Sequence, residues 1–337
     1  MTLTDSDLIL VTGATGLVGS HFAEQARLRG HRVRAIVRQP GQCTDLTKWG
    51  MELVAGDLTN RESLVTAAKG ATVVVHCAAK VGDWGPTDEY RTVNVRGLKD
   101  LLDAVEGSGS LKRFVHISSL GVYPARDHYG TDEFEPTSTL GIDGYTLTKV
   151  EAENLVRDHI RDHRLPAVIL RPGFIYGPRD RTILPKVLAR LKSGGFKFLG
   201  NGQQLLNNTF VGNLVSAMFL AIDKDDVVGE IFNITDNRLV SRREFIGTIC
   251  EAAGIPTPAG KVPLPVAKVL ANLMEGAYRL LRKKEAPLLS SARIKFLGLN
   301  LDYSIDKARR QLGYDPATDF TDAMRTTIAW SREAGLA

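Results

Sequence analysis

Short, unbroken apolar runs alternate with helical patterns through the first half of the chain. LILVTG (8–13), VRAIV (33–37), MELVAGD (51–57), TVVVHCAA (72–79), RFVHIS (113–118) and AVILRPG (167–173) predict strands. Between them, helices are expected over 17–29, 61–69, 88–107 and 144–163. Strands that are apolar throughout, rather than at every second position, belong to a parallel sheet covered by helices on both faces. The expected architecture is therefore α/β, a doubly wound parallel sheet of the Rossmann kind.

Beyond Pro178 the rhythm loosens. A helix over 183–193, a glycine-rich GNGQQ turn, a helix over 211–223, a strand at EIFNIT (230–235) and a helix over 241–253 precede a Gly- and Pro-punctuated passage, 254–265. With 337 residues, 43% of them apolar, the chain exceeds one ordinary domain. Residues 1–178 are read as a dinucleotide-binding domain, completed by a returning strand near 228–236, and 179–337 as a mainly substrate-binding region. The segment LPVAKVLANLMEGAYRLLRKK (264–284) places Lys268, Asn272, Glu275, Arg279 and Arg282 on one helical face. Val266, Val269, Leu270, Leu273, Ala277, Leu280 and Leu281 fall on another. The plainest reading is a helix over the substrate pocket; the alternative is a contact with a membrane surface or partner enzyme that delivers a lipidic substrate.

Charge narrows the partners. Forty-three Lys and Arg against 38 Asp and Glu leave +5, without an Arg-rich, aromatic-interleaved segment, so nucleic acid is not an expected partner. Three cysteines without metal-ligand spacing argue for a reducing compartment, no disulfide framework and no metal site. The N-terminus lacks a signal-peptide pattern and no run of about 18 apolar residues occurs, so the expected location is cytoplasmic, with peripheral membrane contact as a variant.

The chemistry begins at VTGATGLVGSHF, where Gly13, Gly16 and Gly19 lie between a predicted strand and helix. Such a turn brings bare backbone and a helix N-terminus up to a pyrophosphate, with Thr15, Leu17 and Val18 around it. The second strand ends AIVRQP, with Arg38 and no acid. An acid would bind a ribose 2′-hydroxyl and repel a 2′-phosphate, so this end tilts the cofactor toward NADP, with NAD the alternative. Asp57 and Leu58, after the third strand, are expected near the adenine. In GYTLTKVEAENL, Tyr145 and Lys149 stand at i and i+4, on one helical face.

Taken in order, TGATGLVG, GDL, HCAA, ISS, YTLTK and RPGFIYGP resemble the extended short-chain dehydrogenase/reductase family over roughly residues 8–320. The likeness is greatest to its 3β-hydroxysteroid dehydrogenase-like branch, which includes 2-alkyl-3-oxoalkanoate reductases. The resemblance implies a Ser, Tyr, Lys set: Tyr145, Lys149 and Ser119, which stands four residues before Tyr123. Ser118 takes that place if the strand register is shifted by one. It also implies cofactor contacts at Ala78, Ala79, Lys80 and Asn94, and a nicotinamide-side loop at Pro172, Gly173 and Ile175. Many members of the family dimerise, which implies a homodimer through the helices over 88–107 and 144–163. In the implied chemistry Tyr145 protonates the oxygen that receives charge during hydride transfer, Ser119 holds that oxygen, and Lys149 favours the phenolate. Bringing a phenol from about 10 to about 7 takes roughly 4 kcal/mol.

Family dehydratases carry an Asp-Glu pair directly after the Ser or Thr; here Leu120 and Gly121 stand there. LNNTFVGNL (206–214) lacks the Arg that clamps a nucleotide-sugar diphosphate, although Arg179 or Arg181 could substitute. KVGDWG, GFIYGP and NNTF supply Val81, Trp84, Tyr176, Asn208 and Phe210 as expected substrate contacts beside Ser119, with Trp84 and Tyr176 equally readable as core aromatics. The expected function is an NAD(P)-dependent interconversion of a secondary alcohol and a ketone on a hydrophobic substrate, sterol-like or 3-oxoacyl. The rivals are a nucleotide-sugar epimerase and a non-catalytic NADP-sensing regulator.

Overall fold

Seven parallel strands form the centre of the computed structural model, which describes residues 3–140, 143–281, 283 and 285–336. They are β1 (Leu8–Thr12), β2 (Arg32–Val37), β3 (Glu52–Ala55), β4 (Val73–His76), β5 (Arg113–Ile117), β6 (Ala167–Pro172) and β7 (Ile231–Ile234). Their spatial order is β3-β2-β1-β4-β5-β6-β7, reversing direction of travel between β1 and β4. That reversal opens a crevice at the carboxyl ends of the strands, where doubly wound sheets bind ligands. Thr12 pairs across to His76, His76 to His116, and Ile117 to Leu170, so the ends of β1, β4, β5 and β6 lie side by side.

The helices of eight residues or more are α1 (Leu17–Leu28), α2 (Arg61–Ala68), α3 (Gly97–Gly107), α4 (Gly144–His163), α5 (Leu184–Lys192), α6 (Val211–Asp223), α7 (Arg242–Ala253), α8 (Leu264–Leu280), α9 (Ser291–Gly298) and α10 (Phe320–Glu333). Successive strand residues point to opposite faces, so each apolar run feeds two cores. Ile9, Val11, Val73 and Val75 join α1 and α6, where Phe22 stacks on Phe219 at 4.8 Å. Leu10 and Val74 join Leu64 of α2, Leu101 of α3 and Val156 of α4. A third core gathers Tyr176, Leu188, Phe245 and Phe320 from the second half of the chain.

A buried polar network anchors α4. The Arg171 guanidinium of β6 donates to both oxygens of Glu153, through Nε at 3.0 Å and through Nη2, and the Ser118 hydroxyl donates to the same carboxylate at 2.8 Å. Arg171 also donates to the Tyr123 hydroxyl at 2.7 Å, which in turn donates to Asn233 Oδ1 at 2.9 Å. Each charge is almost wholly out of water, so the pair persists because the two charges meet directly and Ser118 and Tyr123 add further hydrogen bonds.

The expected helix over 88–107 is interrupted. A short α-helix, Thr87–Arg91, runs into a π-turn at Thr92–Arg96 before α3 begins. The wider turn accommodates buried Asn94, whose amide is engaged across the structure rather than with solvent. Four pairings of short strands among the described residues escaped the hydrophobic pattern: Phe174–Tyr176 with Asn208–Phe210, His128–Thr131 with Leu301–Tyr303, Leu205–Leu206 with Val240–Ser241, and Phe198–Leu199 with Lys261–Val262. Helix α8 forms as expected but turns Ala267 and Ala271 inward, leaving its Val and Leu stripe exposed; the side chain of Arg282 lies outside the described residues.

Glu153→Ala leaves a buried guanidinium unpaired and should cost about 3–5 kcal/mol in urea unfolding. Replacing both partners by Glu153→Leu and Arg171→Met should cost clearly less; equal losses would mean that the charge pairing is not what anchors α4.

Candidate active site

Three glycines shape the turn between β1 and α1. Gly13 has φ +71°, and a Cβ there would lie 2.8 Å from the Ala78 nitrogen at the end of β4. A Cβ on Gly19 would approach the Gly13 carbonyl oxygen to 2.2 Å, so α1 packs on its own turn only without a side chain. Gly16 caps α1 with no side-chain hydrogen bond, and Thr15 and Gly16 are exposed. The first-turn N–H groups near Leu17 and Val18 thus face outward from a positive helix end, which fits a dinucleotide pyrophosphate.

The outer rim of this cleft is mixed. Arg38 is exposed just past the end of β2, and among the described residues no hydrogen bond or ion pair engages its guanidinium. The Asp57 carboxylate accepts from the Thr59 amide and hydroxyl at 2.9 and 2.8 Å, closing a turn, while Leu58 is buried. Ala78, Ala79 and Lys80 continue half-buried from β4. Asn94 accepts from the Lys80 amide at 2.7 Å and donates to the Lys80 carbonyl and the Thr148 hydroxyl, both at 3.0 Å. It therefore ties this loop to α4 beside Lys149.

Helix α4 starts cleanly because the Asp143 carboxylate accepts the Thr146 amide at 2.9 Å. Its residues Tyr145, Lys149 and Glu153 form one stripe, and each meets a successive part of the β5 end. The Lys149 ammonium, 6.0 Å from the centre of the Tyr145 ring, donates to the Ile117 carbonyl at 2.7 Å. The Ser118 hydroxyl is committed to Glu153, whereas half-buried Ser119 accepts from the Gly121 amide at 3.0 Å and lies close enough to the Tyr145 phenol to pull its pKa down. Ser119, Tyr145 and Lys149 are thus together, and Ser118 is one layer below.

Electrostatics here differ from the expected push toward phenolate. Desolvation, then the Asp143 charge, push the Tyr145 phenol up to about 12, against a smaller opposing effect of Ser119. Burial pulls the Lys149 ammonium down to about 8. The protein's own groups therefore keep the proton on tyrosine and leave lysine near the edge of its charged range. Beneath them, buried His76 is held at about 3 and His116 well below the ordinary value, both chiefly by desolvation and then by Lys149.

Pro172 and Gly173 close the far side. A Cβ on Gly173 would come within 1.8 Å of the Asn207 carbonyl oxygen, so the two segments cross here only at glycine, and half-buried Ile175 follows. Tyr176 and Asn208 lie deeper: both donate to the Asp236 carboxylate, at 3.1 and 2.9 Å, and Tyr176 packs among Phe210, Phe245 and Phe320. The Phe210 amide and Asn213 complete the same carboxylate's contacts at 2.7 and 2.8 Å. Val81 is exposed, and Trp84 donates its indole N–H to the Lys283 carbonyl at 3.0 Å, against α8. Sequence reasoning did not single out Glu153, Asp236 or Lys295. Lys295 of α9 donates to the carbonyls of Gly121 and Tyr123 at 2.8 and 3.1 Å, next to Ser119 and lining a cavity of about 250 Å³. Only the Arg inside AVILRP hinted that a buried acid was needed.

A dinucleotide cleft at a sheet switch point, opening onto a Ser, Tyr and Lys cluster, defines a nicotinamide-dependent oxidoreductase of the Rossmann class. The chain belongs to the NAD dependent epimerase/dehydratase family, whose profile matches residues 9–235. It is 32% identical to a 3-beta-hydroxysteroid dehydrogenase of Mycolicibacterium neoaurum, over 97% of this chain and 92% of that enzyme. A 2-alkyl-3-oxoalkanoate reductase of Shewanella oneidensis is 28% identical, over 94% and 84%. Among solved structures, gox2253 superposes with a TM-score of 0.82 at 29% identity, covering 98% of this chain and 99% of the other. A UDP-glucuronic acid 4-epimerase from Bacillus cereus in complex with NAD shares the fold, with a TM-score of 0.74 at 23% identity over 97% and 99%. The branch implied by the motifs is thus the one in which these curated relatives fall.

The folded state resists protonating His76, so folding loses stability as pH falls from 6.5 toward about 3, where the unfolded chain takes up the proton and the native one does not. Urea unfolding between about pH 7 and about pH 5 should show His76→Gln losing less stability than wild type, by up to about 1.4 kcal/mol per pH unit. Parallel profiles would show that His76 is not held neutral.

Proposed function

We propose that this protein interconverts a secondary alcohol and a ketone on a hydrophobic substrate, sterol-like or 3-oxoacyl, with Tyr145 exchanging the proton and NADP as the cofactor. The observation that carries this reading is the convergence of Ser119, Tyr145 and Lys149 at one strand end, with Leu120 and Gly121 where an acid pair would be needed for dehydration. Relatives named for 3-oxo and 3-hydroxy compounds support the substrate class.

The bound dinucleotide would supply or accept the hydride. The Gly13–Gly19 turn would hold its pyrophosphate, Lys149 its nicotinamide ribose, and Pro172 to Ile175 its far wall. Arg38, with no acid beside it, suits a 2′-phosphate. During reduction, Ser119 donates a hydrogen bond to the substrate oxygen and Tyr145 gives it the phenol proton as negative charge develops there. A phenol held at about 12 is the correct starting form for that step. In the reverse direction Tyr145 takes the proton, and the positive charge of Lys149 lowers the cost of the phenolate. Val81 and Trp84 border the outer part of the proposed substrate path. A homodimer through α3 and α4 completes the proposal.

Tyr145→Phe should retain cofactor binding and lose about 100- to 10,000-fold in turnover of oxo-steroids or 2-alkyl-3-oxoacyl compounds, followed by cofactor absorbance. Full turnover in that variant would defeat the mechanism. Net consumption of reduced cofactor separates a reductase from an epimerase, which returns its hydride to the same molecule. NADPH should bind more tightly than NADH, and Arg38→Ala should remove the preference.

A further inference from the structure

Helices α3 and α4 finish side by side, far from the cleft. Glu106 stands in the last turn of α3, and His163 in the last turn of α4 with His159 one turn before it, on the same face. At 1.5 Å per residue, His159 lies roughly 21 Å along the helix from Tyr145. The two imidazoles converge on one acid. Nδ1 of His159 donates to Glu106 Oε1 at 2.7 Å, and Nδ1 of His163 donates to Oε2 at 2.8 Å, with the ring centres 4.6 Å apart. One ligand atom from each of the three residues lies within 4.8 Å of the others.

An ordinary ion pair accounts for only part of this arrangement. Among the described residues no lysine or arginine pairs with Glu106, and its ionic partners are the two histidines. One imidazolium would neutralise the carboxylate, yet a second ring is brought to it, and two imidazoliums at that separation would repel. A single dication satisfies all three groups at once, taking a lone pair from each nitrogen and from the carboxylate in place of the protons between them.

The surroundings favour such an ion. The C-terminal ends of α3 and α4, each the negative end of a helix dipole, come together here. The Asp103 and Asp162 carboxylates also act electrostatically on His163, but each is paired within its own helix, to Lys99 and Arg161, so Glu106 is the acid open to a metal. His159 is buried, Glu106 half-buried and His163 exposed, which supplies an anchoring ligand and a path of entry. Two imidazole nitrogens and one carboxylate oxygen form a donor set of borderline softness, suited to Zn²⁺, Co²⁺ or Ni²⁺ rather than to Mg²⁺ or Ca²⁺, and leave a fourth position for water. The cysteine spacing that argued against a metal does not bear on this cluster, whose sequence signature is the histidine pair in DHIRDH (158–163).

We propose that Glu106, His159 and His163 form a binding site for a divalent metal ion of the zinc class, which clasps the C-terminal ends of α3 and α4. The ion gives the helix that carries Tyr145 and Lys149 a second hold, at the end opposite the cleft. It takes no part in proton transfer, so the site stands or falls independently of the oxidoreductase reading.

The test is titration of the full, untagged, chelator-stripped chain with Zn²⁺ against a chromophoric chelator, and with Co²⁺ followed by absorbance. Wild type should bind one Zn²⁺ per chain, with a rise of several degrees in thermal midpoint and no displacement by millimolar Mg²⁺ or Ca²⁺. His163→Gln and Glu106→Gln should each weaken Zn²⁺ binding at least about tenfold. The metal-free thermal midpoint of each variant checks its fold, and if one folds poorly the other decides. The Co²⁺ spectrum should lack a thiolate charge-transfer band, and Cys43→Ser should bind as wild type does. Zn²⁺ binding well below one ion per chain overturns the proposal and leaves a hydrogen-bonded triad only. So does binding that survives unchanged in both folded variants, or a thiolate band that Cys43→Ser removes, which would place the metal elsewhere.

Discussion

The site depends on how α4 is clamped to the sheet. Glu153, two turns beyond Tyr145, carries a charge that is almost wholly desolvated and stable only against Arg171 of β6 and the Ser118 hydroxyl of β5. Rotation or sliding of α4 would strand that carboxylate, at a cost comparable with a large share of a domain's net stability. The same clamp sets Lys149 one turn nearer the cleft against the Ile117 carbonyl, and Tyr145 one turn further beside Ser119. A structural ion pair thus fixes the distance between a proton donor and the hydroxyl that shares its target.

The same desolvation that makes the clamp rigid also sets the protonation states. Burial holds the phenol up at about 12 and brings the ammonium down to about 8, so the protein poises the pair as a proton-loaded donor rather than a standing phenolate. Oxidation would require extra positive charge near the ring to release that proton, and an oxidised nicotinamide carries such a charge. The two directions of the reaction therefore place different demands on the same two side chains.

The six strands of the first half were legible because each is a short, mainly apolar run bounded by turn residues, and Gly13, Gly16 and Gly19 because they recur at one spacing between a strand and a helix, where the structure admits no Cβ or a tight one. What sequence could not show is where polar side chains point once the chain is folded. Glu153 in KVEAEN reads as one more surface acid, yet it is fully buried; Tyr176 and Asn208 sit in a segment adjoining the cleft, yet both turn to Asp236, a residue in an unremarkable turn. The π-turn at Thr92–Arg96 was hidden because helical periodicity is indifferent to one buried Asn. On α8 the periodic pattern correctly separated apolar from polar faces, but it could not reveal that a narrow alanine face, rather than the aliphatic one, meets the protein.

The central claim is that burial keeps the proton on Tyr145 until positive charge arrives beside it. The most direct measurement is an ultraviolet phenolate titration of wild type minus Tyr145→Phe, with and without oxidised cofactor. The account predicts a midpoint near 12 for the protein by itself, falling by several units when oxidised cofactor binds. A midpoint already near about 7 without cofactor, or one that oxidised cofactor leaves unmoved, would contradict it.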